Sequence, residues 1–190
     1  MKIQGILPFA RTLLTQTLEP GNIALDCTAG KGNDTVTLAQ LVGEAGHVYS
    51  FDIQEEAIVM TEQKLKSLDL QERVTLYVNG HQNFDACLPE EHLHQIKGAI
   101  FNLGYLPGGD KSIVTKPDST IEAINKLLHV MPKEGLIVLV IYHGHEQGQI
   151  ERDHLLDYFK TIDQQQAHVL TYQFMNQKNN PPFIIAIEKR

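Results

Sequence analysis

The stretch Ala24-Leu25-Asp26-Cys27-Thr28-Ala29-Gly30-Lys31-Gly32-Asn33-Asp34-Thr35, followed by Val48-Tyr49-Ser50-Phe51-Asp52, constrains the fold more than any other part of the chain. Residues 22–27 form an apolar run short enough for a buried parallel strand, which breaks at Gly30 and Gly32 and resumes as a helix from about Asn33. A strand-turn-helix of this kind exposes backbone N–H groups at the helix N-terminus, and those donors suit a carboxylate or a phosphate. Glycine lets the ligand approach because no Cβ stands in the way. Asp52 ends the next strand, about 20 residues after the turn, where a carboxylate can accept both hydroxyls of a ribose. Together they point to an adenosine-bearing cofactor.

The details of the turn separate three such cofactors. A dinucleotide fingerprint needs G-x-G-x-x-G, and after Gly30-Lys31-Gly32 the third glycine is missing. A Walker loop fails as well, since Gly30-Lys31 is followed by glycine rather than Ser or Thr and no glycine stands five positions earlier. What remains is the turn of a class I S-adenosylmethionine-dependent methyltransferase. In that reading Asp26 lies near the methionine ammonium, Asp52 on the ribose, and Thr28, Gly30, Gly32, Asn33, Asp34 and Thr35 around the turn. Ile53 and Gln54, after the ribose acid, and His81, in Asn79-Gly80-His81-Gln82 after the third strand, are the candidates for the adenine. A plain α/β turn would use the glycines for their backbone angles alone, and would leave Asp26 and Asp52 without a purpose.

Alternating elements follow. An opening helix over 7–18, with Leu7, Ala10, Leu14 and Leu18 at helical spacing, ends at Pro20-Gly21. Strands are expected at 22–27, 47–52, 74–78, 98–103 and 136–142, with helices from about Asn33, Gln54, Gln82 and Pro117 between them. That alternation predicts a mostly parallel sheet covered on both faces, an α/β Rossmann-like fold. A helix over 150–162 is then followed by strands at 167–174 and 183–188 on a short polar connection, which makes them antiparallel neighbours. Such a closing pair distinguishes a methyltransferase sheet from a dehydrogenase. With 190 residues, the chain is expected to form one methyltransferase domain, an N-terminal helical segment (1–20) leading into the core (21–190).

The formal charge of −7 argues against sequence-independent binding to long duplexes, where phosphate contacts supply much of the affinity. Lys2, Arg11, Lys111, Lys116, Lys178, Lys189 and Arg190 read as scattered charges. Cys27 and Cys87 have apolar neighbours and suit free thiols better than a disulfide. His92 and His94 have the wrong spacing for one helix face, so no metal is expected. No apolar run is long enough to span a membrane and no secretory signal is evident, so the protein is expected to be cytoplasmic.

In an open α/β sheet the ligand crevice lies beyond the carboxyl ends of the strands, so the loops after the fourth and fifth strands carry the substrate side. They read Phe101-Asn102-Leu103-Gly104-Tyr105-Leu106-Pro107-Gly108-Gly109-Asp110-Lys111 and Tyr142-His143-Gly144-His145-Glu146-Gln147-Gly148. The first is similar to the Asn-Pro-Pro-Tyr signature of methyltransferases acting on exocyclic or amine nitrogens. Asn102 and Tyr105 keep the four-residue frame, and Leu103-Gly104 replace the prolines. Asn102 then holds the acceptor nitrogen while also facing the cofactor, and Tyr105 stacks on a base. An alkylamine resembles lysine, with a reference pKa near ~10.4, and must lose a proton before it can attack. His143, His145 and Asp110 are the candidate relays, and a hydrogen-bonded loop cap fits the two histidines equally well.

The turn at 26–35, the Asn-Leu-Gly-Tyr-Leu-Pro-Gly-Gly-Asp-Lys stretch, Tyr142-His143-Gly144-His145 and Asn179-Asn180-Pro181-Pro182-Phe183 together resemble the YtqB-like putative rRNA methylase family, over essentially the whole chain. Its better-defined members are the MnmM-type tRNA methyltransferases. The resemblance implies S-adenosylmethionine as cofactor and N-methylation of the aminomethyl group of wobble 5-aminomethyl-2-thiouridine, giving 5-methylaminomethyl-2-thiouridine. It also implies tRNA as the partner, through the anticodon loop, whose single strand leaves the base accessible. Two departures stand out: Lys31 where the family usually has Asn, and Glu146-Gln147 where Pro-Glu is common. Lys31 is expected to face solvent or RNA. Two alternatives remain open, an rRNA or small-amine methyltransferase of the same fold and a non-catalytic RNA-binding relative. A homodimer is compatible with the sequence but not required by it.

Overall fold

Strand β5 (Leu136–Ile141) reads Leu-Ile-Val-Leu-Val-Ile and is buried at every residue. A strand apolar on both faces needs cover on both, and the helices divide accordingly. Helices α1 (Ile6–Thr17), α2 (Asn33–Val42) and α3 (Glu55–Ser67) press Leu14, Leu38, Val42 and Leu65 onto one face of the sheet, against Ala24, Val48, Val138 and Val140. On the other face α4 (Phe84–Cys87), α6 (Pro117–Val130) and α7 (Glu146–Thr161) bring Phe84, Ile124, Leu127, Leu155 and Phe159 against Leu25, Phe51, Phe101 and Leu139. Each fully buried Leu, Ile or Phe contributes roughly 1.5–3 kcal/mol, so the two clusters hold the layers together. The structure, a computed structural model, describes residues 2–104, 115–144 and 146–190.

The remaining strands are β1 (Ile23–Asp26), β2 (His47–Asp52), β3 (Val74–Val78), β4 (Ile96–Leu103), β6 (Ala167–Tyr172) and β7 (Phe183–Lys189). They form a seven-stranded sheet in the order β3-β2-β1-β4-β5-β7-β6. The first five run parallel, while β7 is antiparallel to both β5 and β6, as the sequence pattern implied. Because β1 pairs with β2 on one side and β4 on the other, the strand order reverses there, and a crevice opens beyond their carboxyl ends. The amino-terminal segment is tied to the closing strands: the Tyr172 hydroxyl donates to the Gln4 carbonyl at 2.8 Å, and Phe9 stacks on Tyr172 with ring centres 4.1 Å apart.

Strands β2 and β3 match the expected bounds and helices α2 and α6 begin at the expected residues, while other elements differ at one end or both. The helix expected from about Gln82 is instead a 3-10 turn (His81–Asn83), α4 and a further short helix, α5 (Glu90–Leu93). Pro89 is the cause. The residue before a proline is pushed out of the helical region, and Leu88 is extended at φ −86° and ψ 150°. Strand β4 starts at Ile96 rather than 98, and α7 starts at Glu146 rather than 150. At the edge, β6 stops at Tyr172 rather than 174, where its pairing with Ile184 of β7 ends.

Candidate functional site

Beyond the carboxyl ends of the parallel strands lies a cavity of about 750 Å³. Its wall is built from the turn after β1, the residues after β2 and β3, the end of β4, Tyr142 after β5, Leu7 and Arg11 of α1, and Thr115, Lys116 and Ser119 at the start of α6. Thr28, Gly30, Asn33, Asp34, Asp52, Ile53, Gln54, His81 and Asn102, all expected from the sequence, meet on this wall.

The turn is held by its carboxylates. Asp52 accepts the Gly30 N–H on Oδ2 at 2.9 Å and the Gln54 N–H on Oδ1 at 3.0 Å, which draws the end of β2 against the glycine turn. Gly32 precedes α2 with φ +72°, and a Cβ there would lie 3.0 Å from the Thr61 side chain, so glycine is needed for both angle and space. Asp26 departs from its expected place. It does not line the cavity: it is 1% exposed, accepting the Thr28 N–H at 3.1 Å and the Thr35 hydroxyl at 2.6 Å. Thr35 also contacts Ser50 at 3.1 Å, and neither it nor Gly32 reaches the wall. These three residues shape the turn from behind. Burial foremost, then the Asp34 charge, raises the Asp26 pKa to about 7 despite the hydrogen bonds from Thr35 and Thr28.

His81 is buried on the wall, 7% exposed, with its ring edge against Phe101. Its Nδ1 is 2.8 Å from the Cys27 carbonyl, an acceptor, so Nδ1 carries the proton and Nε2 presents a lone pair. That Nε2 is buried and has no partner among the described residues. Burial lowers the His81 pKa, against the opposing pull of the Cys27 carbonyl and Asp52, which favours this neutral form. Ile53 contributes an apolar surface, 59% exposed, to the same wall.

At the end of β4, the Asn102 N–H donates to the Thr28 hydroxyl at 2.7 Å, and its Nδ2 donates to the Asp34 carboxylate. Asn102 Oδ1 is buried and has no partner among the described residues. Asp34 is further approached by the Arg11 guanidinium at 3.8 Å, and burial outweighs both contacts to raise its pKa. Beside them stands Tyr142, whose phenol is pushed upward by burial and then by the Asp34 charge.

Of the two places left open for His143, a proton relay and a loop cap, the structure gives the loop cap. Its Nε2 lies 2.9 Å from the Pro181 carbonyl and its Nδ1 3.2 Å from Arg152 Nη1, while the ring packs edge-on against Phe183. Both nitrogens are engaged, and the residue does not line the cavity, so its geometry is that of a loop cap joining the β5 loop to the segment before β7. Tyr105, Asp110 and His145 lie outside the described residues. Sequence reasoning passed over Arg11, Lys116 and Tyr142. Arg11 and Lys116 looked like scattered charges, whereas Tyr142, an aromatic at the very end of a buried strand, was a usable signal.

His92 bonds to the Tyr49 hydroxyl at 2.6 Å and His94 to the Val130 carbonyl at 3.3 Å. Among the described residues no group of three or more His, Cys, Asp or Glu could hold a metal ion, and no helix is long and apolar enough to cross a membrane.

Residues 48–188 match the family described as "Putative rRNA methylase". A tRNA (mnm(5)s(2)U34)-methyltransferase from Arabidopsis thaliana is 36% identical over 150 residues, which cover 75% of this chain and 54% of that protein, so the match spans about half the relative's length. Among solved structures, a putative rRNA-methylase from Clostridium thermocellum is 41% identical with a TM-score of 0.96, covering 100% of both chains. A putative methyltransferase from Streptococcus mutans in complex with SAH is 39% identical with a TM-score of 0.89, covering 99% of both.

Proposed function

The chain belongs to the Putative rRNA methylase family, and we propose that it is an S-adenosylmethionine-dependent tRNA methyltransferase. Its reaction is N-methylation of the aminomethyl group of wobble 5-aminomethyl-2-thiouridine, giving 5-methylaminomethyl-2-thiouridine. The observation that carries the reading is the pairing, on one cavity wall, of a cofactor-type turn closed by Asp52 with Asn102, whose side-chain oxygen has no partner among the described residues.

The wall fits the cofactor. A carboxylate has about four lone-pair sites, so Asp52 can accept two backbone N–H groups and still take ribose hydroxyls. His81 Nε2, an acceptor that costs free energy while unpaired, suits the exocyclic amine of adenine, and Ile53 suits the ring face. S-adenosylmethionine supplies a methyl group on a sulfonium, whose sulfur takes back the C–S electron pair as the nitrogen attacks. Asn102 Oδ1 accepts a hydrogen of the amine and so aims its lone pair, and Tyr142 offers a face for the uracil ring. Arg11, Lys31 and Lys116, all exposed, line the same cavity and suit the phosphates flanking the base.

The relative from Arabidopsis thaliana, named for a tRNA position, favours tRNA, whereas the family's description favours rRNA as the second reading. Incubation with labelled cofactor and, in separate reactions, tRNA bearing the unmethylated aminomethyl group or rRNA separates them. Label is expected in tRNA. Label in rRNA alone overturns the tRNA reading.

A further inference from the structure

An asparagine serves as an acceptor only if its amide is turned the right way, because reversal replaces the oxygen by an NH2 group. At Asn102 the backbone does not decide this: its N–H is held by Thr28, and the side-chain torsion stays free to present either end. The only described side chain hydrogen-bonded to its amide is Asp34, which accepts from Nδ2. A reversed amide would set Oδ1 against that carboxylate, acceptor on acceptor, and would put Nδ2 in the place of the free acceptor. Asp34 is itself fixed, since it sits in the first turn of α2, its side chain is only 15% exposed, and Arg11 lies 3.8 Å from its Oδ1.

We infer that Asp34 is the positioning residue for Asn102: it holds the amide so that Oδ1, not Nδ2, faces the methyl acceptor. The consequence for catalysis rests on the amine-methylating reading above, whereas the orientation itself does not. Asp34 forms no bond to the amine and need take no proton. It works by removing the conformer in which Asn102 would present hydrogens to an N–H donor. Arg11 of α1 holds Asp34 in turn, so the amino-terminal helix contributes to a substrate contact on β4.

Two measurements test this. In the nuclear magnetic resonance spectrum of the full chain, the Asn102 side-chain amide signal, identified by its loss in Asn102→Asp, is expected to shift in Asp34→Ala, with faster exchange of its hydrogens. An unmoved signal overturns the orientation whether or not the protein methylates tRNA. In steady-state methyl transfer to aminomethyl tRNA, Asp34→Ala is expected to lower kcat about 100-fold while cofactor KM and, in a separate melt, Tm hold. Asp34→Asn, whose carbonyl can still accept from Asn102, should recover most of that loss. The Asp34→Ala, Asn102→Asp double variant should regain at least ~10-fold, because a carboxylate presents an acceptor either way round. Loss of cofactor affinity in both Asp34→Ala and Asp34→Asn would instead make Asp34 a counter-charge for the cofactor and overturn the inference. Failure of the wild-type protein to methylate tRNA would sink the substrate reading, and the spectroscopic arm would still decide the role of Asp34.

Discussion

Single residues around the cavity divide between those that would touch a ligand and those that hold the wall, and the division yields separable effects. Asp26 belongs to the second group: its carboxyl is buried, its pKa raised to about 7 from an ordinary value of 3.8. The folded state therefore binds this proton more tightly than the unfolded chain, so the contribution to stability is full below about pH 4 and is lost as the pH rises through about 7. Between pH 5 and 8 that loss is about 2–3 kcal/mol, and Asp26→Asn, which cannot titrate, should flatten it. Urea unfolding of both proteins at the two pH values checks this, and parallel slopes would contradict it. Asp52 and Tyr142 belong to the first group. Asp52→Ala should weaken S-adenosylmethionine binding with little change in tRNA KM. Tyr142→Ala should do the reverse, raising tRNA KM about 10-fold, in the range of one stacked base. Equal loss of cofactor affinity in calorimetric titrations of both variants would remove the distinction.

At the scale of elements, the glycine turn and the residue just before α6 each bring one lysine to the cavity. Among the described residues neither Lys31 nor Lys116 has an acidic partner, unlike Arg11, which faces Asp34. Each of Lys31→Ala and Lys116→Ala should therefore lower the slope of log affinity for tRNA against log salt by about 0.7, the value for a single-strand phosphate contact. Filter binding from low to moderate salt measures it, and slopes equal to wild type would place the phosphates elsewhere. The sequence pattern was legible wherever local chemistry decides. The β1 turn needs its glycines, Asp52 ends β2, and Asn102 is the last residue but one of β4. It was illegible where side-chain direction decides: Asp26 and Asp52 both end strands, yet one turns behind the wall and the other into it. The split of the expected helix at Pro89 was readable from the proline alone. The meeting of Arg11 with Asp34 was not, because nothing in an opening helix says which strand ends it will cover.

Over the whole molecule, the strand order places every ligand-facing element at one end of the sheet and spends the rest of the chain on two apolar layers. The net charge of −7 fits an enzyme that recognises one exposed base and a few flanking phosphates, and suits extended duplex binding poorly. The most direct measurement is nucleoside analysis of tRNA from a strain lacking this gene, after incubation with S-adenosylmethionine and either the wild-type protein or Asn102→Ala. Wild type should convert 5-aminomethyl-2-thiouridine to 5-methylaminomethyl-2-thiouridine, and Asn102→Ala should bind the cofactor but convert almost none. If the cofactor binds to wild type and no tRNA nucleoside changes, or if Asn102→Ala converts as fast as wild type, the assignment of this cavity to wobble-amine methylation is contradicted.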